Sequence, residues 1–117
     1  MKEFLLILRG GEEGMADAAE SPEKFQQQMV KWKNWMEGLG KQGKLIAGHP
    51  LAKEGKVISG GKKVVTDGPF VEGKEMVGGY LMIRAEGVPD AVLIAKNCPI
   101  FEYDGIVEIR EVQAGPV

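Results

Sequence analysis

Apolar positions along this chain recur with two periods. Phe4-Leu5-Leu6-Ile7-Leu8 is a continuous apolar run closed by Arg9 and Gly10-Gly11, the pattern of a buried strand. Residues 12–20 are acidic, small and irregular, and predict a surface loop. Ser21-Pro22-Glu23 then opens a helix: the serine can cap free amides, the proline loses no bond in the first turn, and the glutamate complements the dipole. Phe25, Met29, Trp32, Met36 and Leu39 follow at alternating spacings of four and three, one apolar stripe of a helix ended by Gly40 and Gly43.

The second half reads mainly with period two. Leu45-Ile46-Ala47 predicts a brief strand, and Gly48-His49-Pro50-Leu51 a turn or extended connection. The runs around Val57-Ile58 and Val64-Val65 flank Gly60-Gly61, which predicts a hairpin with a two-residue loop. Asp67-Gly68-Pro69 breaks that arm. A strand is expected from Val77 to Arg84, a helix from Pro89 to Cys98-Pro99, and a last strand from Gly105 to Val112. The tail 113–117 is expected to fray.

This order predicts an α+β fold over residues 1–117 as one domain: a ferredoxin-like split βαβ sheet with two helices on one face, plus a β-hairpin insertion. Alternation assigns the faces. Phe4, Leu6 and Leu8 oppose Leu5, Ile7 and Arg9; Val77, Leu81 and Ile83 oppose Tyr80, Met82 and Arg84; Val107 and Ile109 oppose Ile106, Glu108 and Arg110. The helix-free face is then half apolar and half charged. It is too apolar for water, and too polar for a core unless its charges pair. A homodimer that closes two such faces around a cavity satisfies both demands.

Composition changes little in this picture. The 117 residues are 44% hydrophobic and 27% charged, with a net charge of −2. The two signs are mixed, so no basic stripe points to nucleic acid or to a membrane. The apolar run at the N-terminus is too short for a signal segment or a span. The single cysteine, Cys98, fits a reducing compartment, and the cytoplasm is expected.

Candidate chemistry centres on Asp67. Held by a rigid Gly-Pro turn at a strand end, it suits a general acid or base; it equally suits an Asx turn that accepts backbone N–H bonds. His49 is the only histidine, on irregular backbone where reactive groups often lie, and could form a dyad with Asp67. Arg9, Arg84 and Arg110 could hold a carboxylate or enolate, Tyr80 could orient it, and Glu72 and Lys74 could form a pocket rim. Cys98 sits at a helix C-terminus, the wrong pole for a thiolate, and is read as structural. No metal-ligand spacing exists, and Gly78-Gly79 lead into a strand, which argues against a phosphate loop. No cofactor is expected.

The run Val65-Thr66-Asp67-Gly68-Pro69-Phe70, with Glu72, Lys74-Glu75 and Gly78-Gly79-Tyr80, resembles the YCII-related proteins, specifically their DGPF-domain group. The resemblance extends from the strand at Met1–Ile7, through the tryptophan-bearing helix, to Cys98-Pro99 and Val107-Glu108-Ile109-Arg110. It implies a dimeric α+β barrel. The wider superfamily includes cofactor-independent monooxygenases, muconolactone isomerase-like enzymes and dechlorinating enzymes. Some DGPF members are associated with extracytoplasmic-function sigma factors. The resemblance also implies a His–Asp pair as active site; Asp67 fits its aspartate, whereas His49 lies outside the first helix, near which the family's small members carry their histidine. Two functions follow: a small-molecule enzyme using Asp67 as acid or base in a cavity between the sheets, or a non-catalytic small-ligand-binding or regulatory dimer.

Overall fold

A computed structural model describes residues 1–11, 21–68 and 75–115. Its elements in chain order are strand β1 (Lys2–Arg9), helix α1 (Pro22–Lys41), strands β2 (Leu45–Pro50), β3 (Gly55–Ser59), β4 (Val64–Gly68) and β5 (Val77–Ala85), helix α2 (Val88–Ala95), a 3-10 turn (Pro99–Tyr103) and strand β6 (Ile106–Glu111). The predicted loop at 12–20 lies outside the described residues, as do Pro69 to Lys74.

Four strands form an antiparallel sheet in the order β2-β5-β1-β6. With β3 and β4 set aside, each βαβ half leaves a gap that the other half's strand fills, which is the ferredoxin-like α+β arrangement. β3 and β4 pair only with each other, as a separate two-stranded ribbon inserted between β2 and β5. The ribbon turns through residues 60–63, twice the expected loop length. Gly60 and Lys63 both adopt positive φ there, so the left-handed positions fall at the two ends of the loop.

The helices cover one face only. Phe4, Leu6 and Ile83 are fully enclosed, and Leu39 of α1 and Ala91, Ile94 and Ala95 of α2 join them in one core. Trp32, Trp35, Val107 and Ile109 pack at its margin. The local signals at α1 act as read: the Ser21 hydroxyl accepts from Lys24 N, and Pro22 begins the helix. At the other end Gly43 takes φ 70°, and Lys44 N donates to the Leu39 carbonyl at 2.9 Å.

The opposite face follows the register. Ile7 lies between Tyr80 and Glu108, and Leu5 between Met82 and Arg110. One assignment differs. A register shift at Leu8/Arg9 sets Val77 opposite Arg9, and Val77 is exposed instead of joining Leu81 and Ile83. A bulge of this kind takes a residue out of alternation. His49, read as part of a turn or extended connection, lies in β2 opposite Tyr80. No helix among the described residues is long and apolar enough to cross a membrane.

Candidate functional site

At one end of the sheet, glycines replace side chains. Gly10 and Gly11 follow β1, Gly48 lies in β2, and Gly78 and Gly79 begin β5. A cavity of about 340 Å³ opens there beneath α1. Met29, Trp32 and Met36 come from the helical stripe and roof it; Leu8 and Leu81 come from the sheet; Ile100 and Tyr103 close it from the 3-10 turn. Two of these glycines, Gly48 and Gly79, are crowded. A Cβ on Gly48 would come 3.0 Å from the Leu81 side chain, and one on Gly79 would come 3.0 Å from the His49 carbonyl oxygen.

The wall is mostly apolar, and no Lys, Arg, Asp or Glu lines it among the described residues. Its polar tips are few. Trp32 Nε1 and the Tyr103 hydroxyl are shielded from solvent and have no hydrogen-bond partner among the described residues. They are near neighbours whose geometry falls short of a bond. Burial, and then the charge of Glu102, push the Tyr103 phenol above its ordinary value, while the indole N–H pulls it back.

His49 and Tyr80 border the cavity. Their rings lie 5.9 Å apart at a 53° tilt, on the helix-free side of the sheet where their register places them. His49 is exposed and Tyr80 half-buried. This pairing was not legible in the sequence, because it needs β2 and β5 to be neighbours.

The predicted arginines occupy the same helix-free face, and each is engaged. Arg9 bridges Glu108 at 3.1 Å and Glu75 at 3.3 Å, and its buried Nε has no partner among the described residues. Arg110 meets Glu108 at 3.4 Å. Arg84 donates to the Gly43 carbonyl at 3.4 Å. The chain therefore carries a linear array, Glu75–Arg9–Glu108–Arg110, whose charges alternate.

Asp67 lies elsewhere. It is exposed on β4 and pairs with Lys56 across the ribbon. It does not line the cavity that His49 borders. Glu72 and Lys74 fall outside the described residues. Cys98 is buried, and burial pushes its thiol up to about 11, against the downward pull of a backbone hydrogen bond from Ile100. Among the described residues no cluster of three or more His, Cys, Asp or Glu is placed to hold a metal ion.

Comparison with known proteins bears on this arrangement. One solved structure with the same fold is 5-chloro-2-hydroxyhydroquinone dehydrochlorinase (TftG) from Burkholderia phenoliruptrix AC1100, in complex with 2,5-dihydroxybenzoquinone. The match has a TM-score of 0.54 at 16% identity, and covers 97% of this chain and 95% of that one. No curated protein sequence matches. The sequence model of the YCII-related domain matches residues 4–114, nearly the whole chain, and the protein is therefore a member of the YCII-related domain family.

Proposed function

We propose that this protein is a homodimeric enzyme that moves protons on a small, flat, largely apolar molecule bound at the glycine-lined end of the sheet. The observation that carries this reading is the His49–Tyr80 ring pair, 5.9 Å apart on the helix-free side of that glycine-lined end. A second copy closing over that face would enclose a ring-sized site beside the pair. An imidazole is the side chain best suited to accept and return a proton near neutral pH, and a neighbouring phenol can donate to an oxygen on which charge develops. Isomerisation and elimination need no more than this. That a protein of the same fold is a dehydrochlorinase in complex with a six-membered quinone supports a ring-sized substrate.

In this reading Asp67 remains the second proton-transfer residue, carried by the ribbon and not by the main sheet. Dimerisation would cover Leu5, Ile7 and Met82 on the helix-free face and shelter the His49–Tyr80 pair from bulk water.

The test needs no known substrate. Exchange of α-protons of uncharged cyclic ketones into deuterated water is followed by NMR. The protein should accelerate exchange for at least one ring-sized ketone, and His49→Gln should lower the rate at least 100-fold while ligand binding by calorimetry persists. Equal rates for wild type and His49→Gln would remove the histidine from the mechanism. Asp67→Asn measured alongside decides the role of the carboxylate.

A second reading is a ligand-binding or regulatory dimer without catalysis. One observation favours it: Glu108 neutralises both Arg9 and Arg110, so neither guanidinium is left to hold a substrate carboxylate. Ligand binding with no proton exchange on any ring would select this reading.

A further inference from the structure

Among the described residues, no other element packs extensively against the β3–β4 ribbon. Val57, Ile58, Val64 and Val65 are 42%, 67%, 52% and 59% exposed, and every residue of β3 is exposed. A two-stranded ribbon with no sheet or helix against it is marginal in water. The whole chain shows the same deficit. Its accessible surface is 8212 Å², whereas a compact chain of 12.7 kDa exposes about 6,200 Å². Its radius of gyration is 15.8 Å, against about 13 Å for a compact chain of this length. The excess of roughly 2,000 Å² exceeds the ~800 Å² that each partner of a standard dimer buries.

Register separates the ribbon's faces. Ile58 pairs with Val65 and Lys56 with Asp67, so the ribbon's two most exposed apolar side chains share a face with the ion pair; Val57, Val64 and Thr66 lie on the other. The helix-free sheet face has the matching character. Leu5, Ile7 and Met82 form an apolar strip, bounded by the Arg9–Glu108–Arg110 array.

We propose that the β3–β4 ribbon is an inter-subunit arm, which lays its Ile58/Val65 face on the helix-free sheet face of a second copy of this chain. This rests on the dimer in the reading above, and adds what holds the dimer together. A consequence follows for Asp67. Among the described residues of its own chain its partner is Lys56 across the ribbon; on the arm it travels to the other subunit, so a site using it is shared between two chains.

Sedimentation equilibrium tests the arm. Wild type should be dimeric at micromolar concentration. Ile58→Asp/Val65→Asp should weaken the dimer at least ten-fold with an unchanged far-UV spectrum, whereas Val57→Asp, on the opposite ribbon face, should change it less than three-fold. A benzophenone photocrosslinker at Ile58 should give a covalent dimer whose adduct maps to the peptides containing Leu5, Ile7 or Met82. A double variant as dimeric as wild type, or an adduct confined to one chain, overturns the arm and leaves the dimer standing. A monomeric wild type overturns both.

Discussion

Gly79 lies so close beneath the edge strand that a Cβ at that position would sit 3.0 Å from the His49 carbonyl oxygen and 3.3 Å from Pro50 Cα. Backbone, not a flexible side chain, opposes it, so the strand must move. Gly79→Ala should cost about 1–3 kcal/mol, the range for overpacking a well-fitted position, and should shift β2 with its histidine. Gly78→Ala meets nothing within 4 Å and should be nearly neutral. Thermal denaturation of the two variants, with ligand titration, checks the contrast.

The Tyr103 hydroxyl is buried and has no partner among the described residues. Removing an unpaired polar group from an interior forfeits no hydrogen bond. Tyr103→Phe should therefore leave stability within about 0.5 kcal/mol of wild type or raise it slightly. A loss above about 1 kcal/mol in chemical denaturation would mean that the hydroxyl is paired in solution.

Arg9 and Arg110 share Glu108 but differ in setting. The Arg9 side chain is 26% exposed, the Arg110 side chain 69%. Arg9→Met should cost about 1–2 kcal/mol, since it takes the less exposed of its two cationic partners from the half-buried Glu108. Arg110→Ala should cost about 0–0.5 kcal/mol. Urea midpoints on both variants rank them.

Burial raises the Cys98 thiol from 9.0 to about 11. The folded chain then holds a proton that the unfolded chain releases between those values. The stabilisation is complete below pH 9 and lost as pH rises toward 11, on the order of 2 kcal/mol. Cys98→Ala should flatten the alkaline limb of the stability profile. In the native protein the thiol should not react with a disulfide reagent at pH 8, and should react once unfolded.

Asp67 and Lys56 are both well exposed, at 74% and 67% for their side chains. Asp67→Asn should change stability by less than about 0.5 kcal/mol. Any larger effect on activity or ligand binding than on the melting temperature would then report function and not folding.

Much of the fold could be read from local pattern. Ser21 and Pro22 start α1 because cap chemistry acts within one turn. Phe4, Leu6, Leu8, Val107 and Ile109 turn to the helices because alternation in a strand is enforced by backbone geometry. Val77 escaped that rule, since a bulge depends on the partner strand. The 3-10 turn at Pro99–Tyr103 was also missed: it has too few residues to show a period, yet it supplies two walls of the cavity.

The candidate site divides along the same line. Sequence alone determined the residue types and their faces: an acid on a rigid turn, a lone histidine, three arginines on strands, and a helix-free face needing cover. Tertiary structure decided the neighbours. It set His49 beside Tyr80, spent Arg9 and Arg110 on one glutamate, and put Asp67 on a ribbon away from the cavity. Periodicity is local and survives in the chain as written. Which strands become adjacent depends on burial summed over the whole molecule, and no short segment contains that information.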